Sequence, residues 1–215
     1  MHPAELTVLY ADDAMLVLDK PAGLLSVPGR GEDKQDCLST RTQGLHPDAL
    51  IVHRLDMATS GVMVLARGAA AQRSLNHAFA SRAVTKRYVA IVDGHLAEPP
   101  ETWGLIDLPI IVDWPNRPRR VIDHQIGKPS MTRWCVLSHD AALNTTRVEL
   151  EPVTGRSHQL RVHLLALGHA IVGDALYGSQ RVQAMADRLL LHARSLELNH
   201  PVTDQPMRFV STEPF

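Results

Sequence analysis

Residues 50–67 read LIVHRLDMATSGVMVLAR. An apolar approach, Leu50 to Val52, runs into His53-Arg54-Leu55-Asp56, and Gly61 to Arg67 is a strongly apolar strand segment. Between them lies a tight connection. A strand thus delivers Asp56 to a turn of small polar residues, where Thr59 and Ser60 can bond the backbone and Gly61 permits a close geometry. A carboxylate presented in this way can act as a nucleophile, a general base or a metal ligand, or it can simply tie down its own loop.

Working outward, LTVLYADDAMLVLDKPAG (residues 6–23) reads as two short strands around the turn Ala11 to Asp13, closed by Pro21 and Gly23. Residues 28–48 are polar and glycine-containing, and are expected to form a mobile loop with one helical turn. An Ala-rich helix is expected over 69–82, with Leu75, Ala78 and Phe79 on its apolar face. KRYVAIVDGH (residues 86–95) is a strand. Residues 96–128 carry Pro and Trp without a period and are read as an irregular excursion. RWCVLSH and TTRVELEPV are two more strands, with 140–144 between them. Residues 154–168 read as a loop and then a helix, with Ser157 as N-cap, Leu160, Leu164 and Leu167 as the core stripe and Gly168 as the stop. RLLLHARSLELNHP and MRFVST supply the last two strands. The fold class is therefore α+β, with a mixed, mainly antiparallel central sheet flanked by helices and loops and carrying a catalytic cleft. Residues 1–215 are read as one domain.

With 215 residues, 45% hydrophobic and 21% charged, the composition is that of a globular chain. Two isolated cysteines cannot build a disulfide scaffold or a CxxC zinc site and fit a reducing compartment. MHPAELTVLY has no basic stretch followed by an apolar run, and no run of about 18 apolar residues exists. A cytoplasmic, monomeric protein without a membrane span is expected. The net charge is −1, so no chain-wide basic field is present. The cations are nonetheless uneven: Lys20, Lys34, Lys86 and Lys128 are the only lysines among 22 basic residues. Local knots stand out, above all Arg117, Arg119 and Arg120. The 12 histidines show no ligand spacing such as HExxH, and no metal is expected.

A second stretch, TGRSHQLRVH (residues 154–163), places Arg161 on the boundary between core and cleft of the expected helix. Such an arginine must be paired or held open to solvent. Asp56 is the obvious partner, and pairing would keep that carboxylate ionised.

HRLDMATSG and TGRSHQLRVH together resemble the two signature segments of the RluA-type pseudouridine synthases. KPAGLLSVPG resembles that family's opening motif, KRYVAIV its tyrosine-bearing strand and RLLLHA a late strand motif. The motifs run in the family's order from about residue 8 to about residue 212. DLPIIVDWPNRP, together with the expected lack of an additional N-terminal RNA-binding domain, is most similar to members that act on both large-subunit (23S) ribosomal RNA and transfer RNA. The resemblance implies an isomerase that uses no metal and no organic cofactor. It places Asp56 on the catalytic aspartate, Tyr88 on the tyrosine that stacks against the target base, and Arg161 on the arginine that pairs with the aspartate. Arg54 falls on the arginine that contacts RNA and helps fill the gap left by the flipped base, and Leu190 or Leu191 would line the base pocket. Arg117, Arg119, Arg120 and His158 are expected RNA contacts.

The chemistry is consistent with these residue types. The N1 glycosidic bond of uridine breaks, the uracil turns and C5 bonds to the sugar, so no redox partner is required. A stacked base is out of reach, so flipping is expected, at a cost of a few kcal/mol that is least in loops. Two other classes fit parts of the pattern: an RNA-binding module without catalysis, and an Asp-dependent nucleosidase or metal-dependent phosphoesterase.

Overall fold

The computed structural model describes residues 6–215, without the side chain of Asp33; residues 1–5, part of the segment read for a signal sequence, lie outside it. The described residues divide into two compact units, residues 6–86 with 193–214, and residues 87–192 with Phe215.

In the first unit, β1 (Thr7–Ala11) and β2 (Met15–Lys20) form the expected hairpin, β3 is Ala49–Ile51 and β4 is Ser60–Arg67. Beyond β4 come α2 (Gly68–Ala80), the start of β5 (Thr85–Asp93), most of β11 (Leu191–Asn199) and β12 (Pro206–Val210). The strands hydrogen-bond in the order β1-β2-β4-β11, with β3 beside β4 and β12 beside β11. β4 is buried from Ser60 to Ala66, which explains why it reads as a continuous apolar run rather than an alternating one. Its Val62 and Val64 pack with Met15, Val17, Leu75, Leu196, Leu198 and Phe209. Each such side chain contributes about 1.5–3 kcal/mol relative to exposure. Leu75 of α2 is buried and Ala78 and Phe79 pack against the same core, as the helical spacing predicts.

The second unit contains most of β5, then β6 (Gly104–Asp107), β7 (Ile110–Val112), β8 (Arg120–Ile122), β9 (Met131–Asp140) and β10 (Thr145–Pro152). Its helices are α3 (Gln159–Ala166) and α4 (Gln180–Ala184). Its strand order is β5-β10-β9-β6, and β7 and β8 make a separate two-stranded sheet. Strand pairing is mainly antiparallel, and an isolated parallel bridge joins Leu25 and Cys37.

Three local expectations need correction. The polar stretch 28–48 holds a 3-10 turn (Glu32–Lys34) and a full helix, α1 (Leu38–Leu45), not one helical turn. Cys37 caps it, its Sγ accepting the Thr40 N–H at 3.4 Å. The irregular excursion 96–128 contains β6, β7 and β8, strands of only three or four residues. Ser157 does not cap α3. His158 occupies that position in a left-handed conformation, φ 58°, and the helix begins at Gln159.

Candidate active site

Asp56 lies in the turn between β3 and β4, and its neighbours are fastened on both sides. The Ser26 hydroxyl donates to the Leu55 carbonyl at 2.7 Å and accepts the Leu55 N–H at 3.1 Å. The Met57 carbonyl accepts the Gly23 N–H at 2.8 Å and the Lys20 ammonium at 3.1 Å. Lys20 is 0% exposed and also donates to the carbonyls of Pro21 and Leu24. A buried ammonium is tolerable only with such partners. Thus KPAGLLSVPG supplies the clamps that hold the aspartate turn, and the Thr59 N–H closes the turn onto the Asp56 carbonyl. Asp56 itself is of intermediate exposure, and Arg54 is exposed.

Gly61 follows that turn with φ +114°, pairs with Lys20, and lies so close to β11 that a Cβ there would stand 2.2 Å from the Ala193 carbonyl oxygen. Only glycine fits this approach. His53 extends the ladder past the end of β3: its Nε2 accepts the Val64 N–H at 3.0 Å, and its ring stacks on Phe79. Burial, helped by the Lys86 cation, holds its pKa down at about 3, so the ring is neutral.

In the second unit α3 is buried on almost every side from Gln159 to Leu164. Arg161 is 4% exposed, inside the core rather than on its boundary. Its Nε and Nη2 donate to Asp174 at 2.8 and 2.6 Å, and Asp174 Oδ1 also accepts the N–H groups of Leu176 and Tyr177. Two further polar residues of TGRSHQLRVH, Gln159 and His163, are buried and tied into the core. Gln159 accepts from the Thr154 hydroxyl and the Arg156 N–H and donates to the Met131 carbonyl and the Thr132 hydroxyl. His163 is enclosed between the Thr132 hydroxyl and the Leu108 carbonyl, and burial pushes its pKa down.

Tyr88 lies on β5 opposite Leu150 of β10 and is half-buried. Leu191 is buried. Leu190, less so, is held by backbone bonds to Val172 and Ile91. Arg117 and Arg119 are exposed on the turn joining β7 to β8, and Arg120 begins β8. Arg117 stacks 4.4 Å from the ring centre of Trp114, which is 64% exposed. Trp134, by contrast, is buried, and Trp103 lies beneath Arg87 and Arg133. Arg119, Arg120, His158 and Arg161 all meet around Tyr177. Asp174 and Tyr177, in GDALYG, were missed from sequence. A buried arginine requires a carboxylate, and that need was the available signal. Among the described residues, no group of three or more His, Cys, Asp or Glu could hold a metal ion, and no helix is long and apolar enough to cross a membrane.

Residues 14–166 match the family model described as RNA pseudouridylate synthase, and that span contains both signature segments. The chain belongs to the RNA pseudouridylate synthase family. It is 53% identical over 210 residues to the dual-specificity RNA pseudouridine synthase RluA of Escherichia coli O6:H1, covering 98% of this chain and 94% of that one. The RluA enzyme of Yersinia pestis is 51% identical over 204 residues, with 95% and 97% covered. The solved structure of human RNA Pseudouridylate Synthase Domain Containing 1 superposes with a TM-score of 0.79 at 31% identity, covering 100% of this chain and 87% of that one. This pseudouridine synthase is thus an isomerase that acts on uridine in RNA, and its mainly antiparallel sheet is the family's.

Proposed function

We propose that this synthase converts uridine to pseudouridine in hairpin loops of large-subunit (23S) ribosomal RNA and in the transfer RNA anticodon stem-loop. The reading is carried by one observation: the Asp56 turn is pinned on both flanks by Lys20, Gly23 and Ser26, which fixes where a reacting carboxylate is presented. Likeness to enzymes named dual-specificity supports the two RNA classes. Asp56 is the nucleophile. The C1′–N1 bond breaks, a C1′–C5 bond forms, the proton on C5 is lost and N1 gains one, so atoms balance without a redox partner. Tyr88 stacks on the flipped base, Leu190 or Leu191 lines its pocket, and Arg161 is the counter-charge of Asp56. Arg54 fills the space the base leaves. Arg117, Arg119, Arg120 and His158 contact the RNA, a role that exposure and the Arg117–Trp114 stack support for the hairpin residues. The two units serve as one catalytic domain, acting as a monomer in the cytoplasm.

The test is tritium release from stem-loop RNA labelled at uridine C5. The wild-type protein releases tritium from both RNA classes, and Asp56→Asn releases none while still binding RNA. Full release by Asp56→Asn would remove Asp56 from the mechanism. Release from only one class would remove the dual specificity. Light scattering reads the monomer.

A further inference from the structure

Tyr177 touches three parts of the second unit that the proposed reaction uses separately. Its ring is buried against Ile110 and Val162, with Ile122 packed beside it. The guanidinium carbon of Arg161 lies 5.0 Å from the ring centre and that of Arg119 at 5.5 Å. Its hydroxyl oxygen accepts the Arg120 N–H at 2.8 Å and stands 2.7 Å from His158 Nδ1. Burial raises the phenol's pKa, so the proton stays on. The hydroxyl therefore shares hydrogen bonds with both the Arg120 main chain and the His158 ring. A phenylalanine would fill the same apolar space, so packing alone does not account for the hydroxyl.

We infer that Tyr177 is a positioning residue that sets the Arg117–Arg120 hairpin relative to Arg161. The hydroxyl holds the hairpin by its main chain at the first residue of β8, directly beside the exposed arginines. The ring lies against the guanidinium that Asp174 orients through two hydrogen bonds. The turn supplying both residues is rigid: Gly173 at φ +75° sits where a Cβ would stand 1.9 Å from the Arg188 carbonyl oxygen, and Asp174 accepts the Tyr177 N–H. RNA seating and the arginine of the proposed catalytic set thus depend on one side chain through different atoms. This deepens the function proposed above and rests on it.

The two dependences separate in kinetics. Tyr177→Phe removes the tether and keeps the ring, so KM for stem-loop RNA rises about tenfold while kcat stays within about twofold. Tyr177→Leu removes the ring as well, and kcat also falls, by about tenfold or more. Amide hydrogen exchange, read without RNA, shows the Arg120 N–H exchanging faster in Tyr177→Phe than in wild type. Both variants are assayed well below their unfolding temperatures. A Tyr177→Phe enzyme with wild-type KM, or one that loses kcat with KM unchanged, overturns the inference, as does an unaltered Arg120 exchange rate. In those cases the wild-type enzyme is still active and the proposed function stands. A wild-type protein inactive on every RNA overturns that function, and this inference with it.

Discussion

Arg161 and Asp174, 13 residues apart in sequence, meet through two hydrogen bonds of 2.8 and 2.6 Å with both side chains almost wholly shielded from water. Removing Asp174 deprives the buried guanidinium of its bidentate partner. Asp174→Asn keeps the shape and removes the charge. We expect it to lower stability by about 3–5 kcal/mol in urea unfolding. A loss below about 1 kcal/mol would mean that other groups neutralise Arg161.

Gly61→Ala introduces a Cβ that would stand 2.2 Å from the Ala193 carbonyl oxygen, at a backbone angle disfavoured for side chains. Backbone atoms cannot swing aside like the tip of a side chain. A loss of about 2–4 kcal/mol is expected from the unfolding midpoint. A smaller isosteric change elsewhere on β4 should not reproduce it.

Ser26→Ala deletes both bonds to Leu55, leaving a buried N–H and carbonyl unpaired next to Asp56. The expected cost is about 1–3 kcal/mol of stability. Because the turn shifts while the Arg117–Arg120 hairpin does not, kcat should fall at least about tenfold with a smaller change in KM. Steady-state kinetics on a stem-loop separates the two, and unchanged kcat would show that the turn holds itself.

Stability should decline as pH falls below about 6.5. His53 and His163 are both kept neutral in the fold, with pKa values below that of a free histidine. The unfolded chain takes up their protons first, so their contribution is complete above the unfolded pKa and is lost on acidification, for His53 down to about pH 3. The slope is at most about 1.4 kcal/mol per pH unit for each histidine. Asp12, held at about 2 because bonds from Tyr10, Met15, Ala14 and His200 outweigh its burial, acts in the same direction below about pH 4. Urea unfolding at pH 7.5, 6 and 5 checks this, and a flat profile would contradict neutral histidines.

Tyr88→Phe should keep stacking on the flipped base and retain part of the activity in tritium release. Complete loss would assign the hydroxyl a chemical task.

The long strands and helix α2 were legible because their patterns are local: alternation, an apolar run, a glycine after a polar turn; the two signature segments were legible by resemblance. Helix α1 was not, since its apolar residues form no stripe and Leu45 is 70% exposed. α3 has core contacts nearly all round, so its stripe of leucines located the helix but could not place Arg161, which lies inside. β6 to β8 are too short to show a period. Lys20, within the opening motif, gave no hint that its ammonium would be spent on three carbonyls. Asp174 and Tyr177 escaped because their partners come from α3 and β8, which local pattern cannot bring together.

The first unit is assembled from both extremities of the chain: Leu196, Leu198 and Phe209 share one core with Met15, Val17 and Val64. On the ribosome, residues 87–192 therefore emerge while that core still awaits its last strands. A nascent chain halted near residue 192 would display the apolar flank of β4 uncovered, a target for holdase chaperones and quality-control proteases. Arrival of β11 and β12 is what seals it.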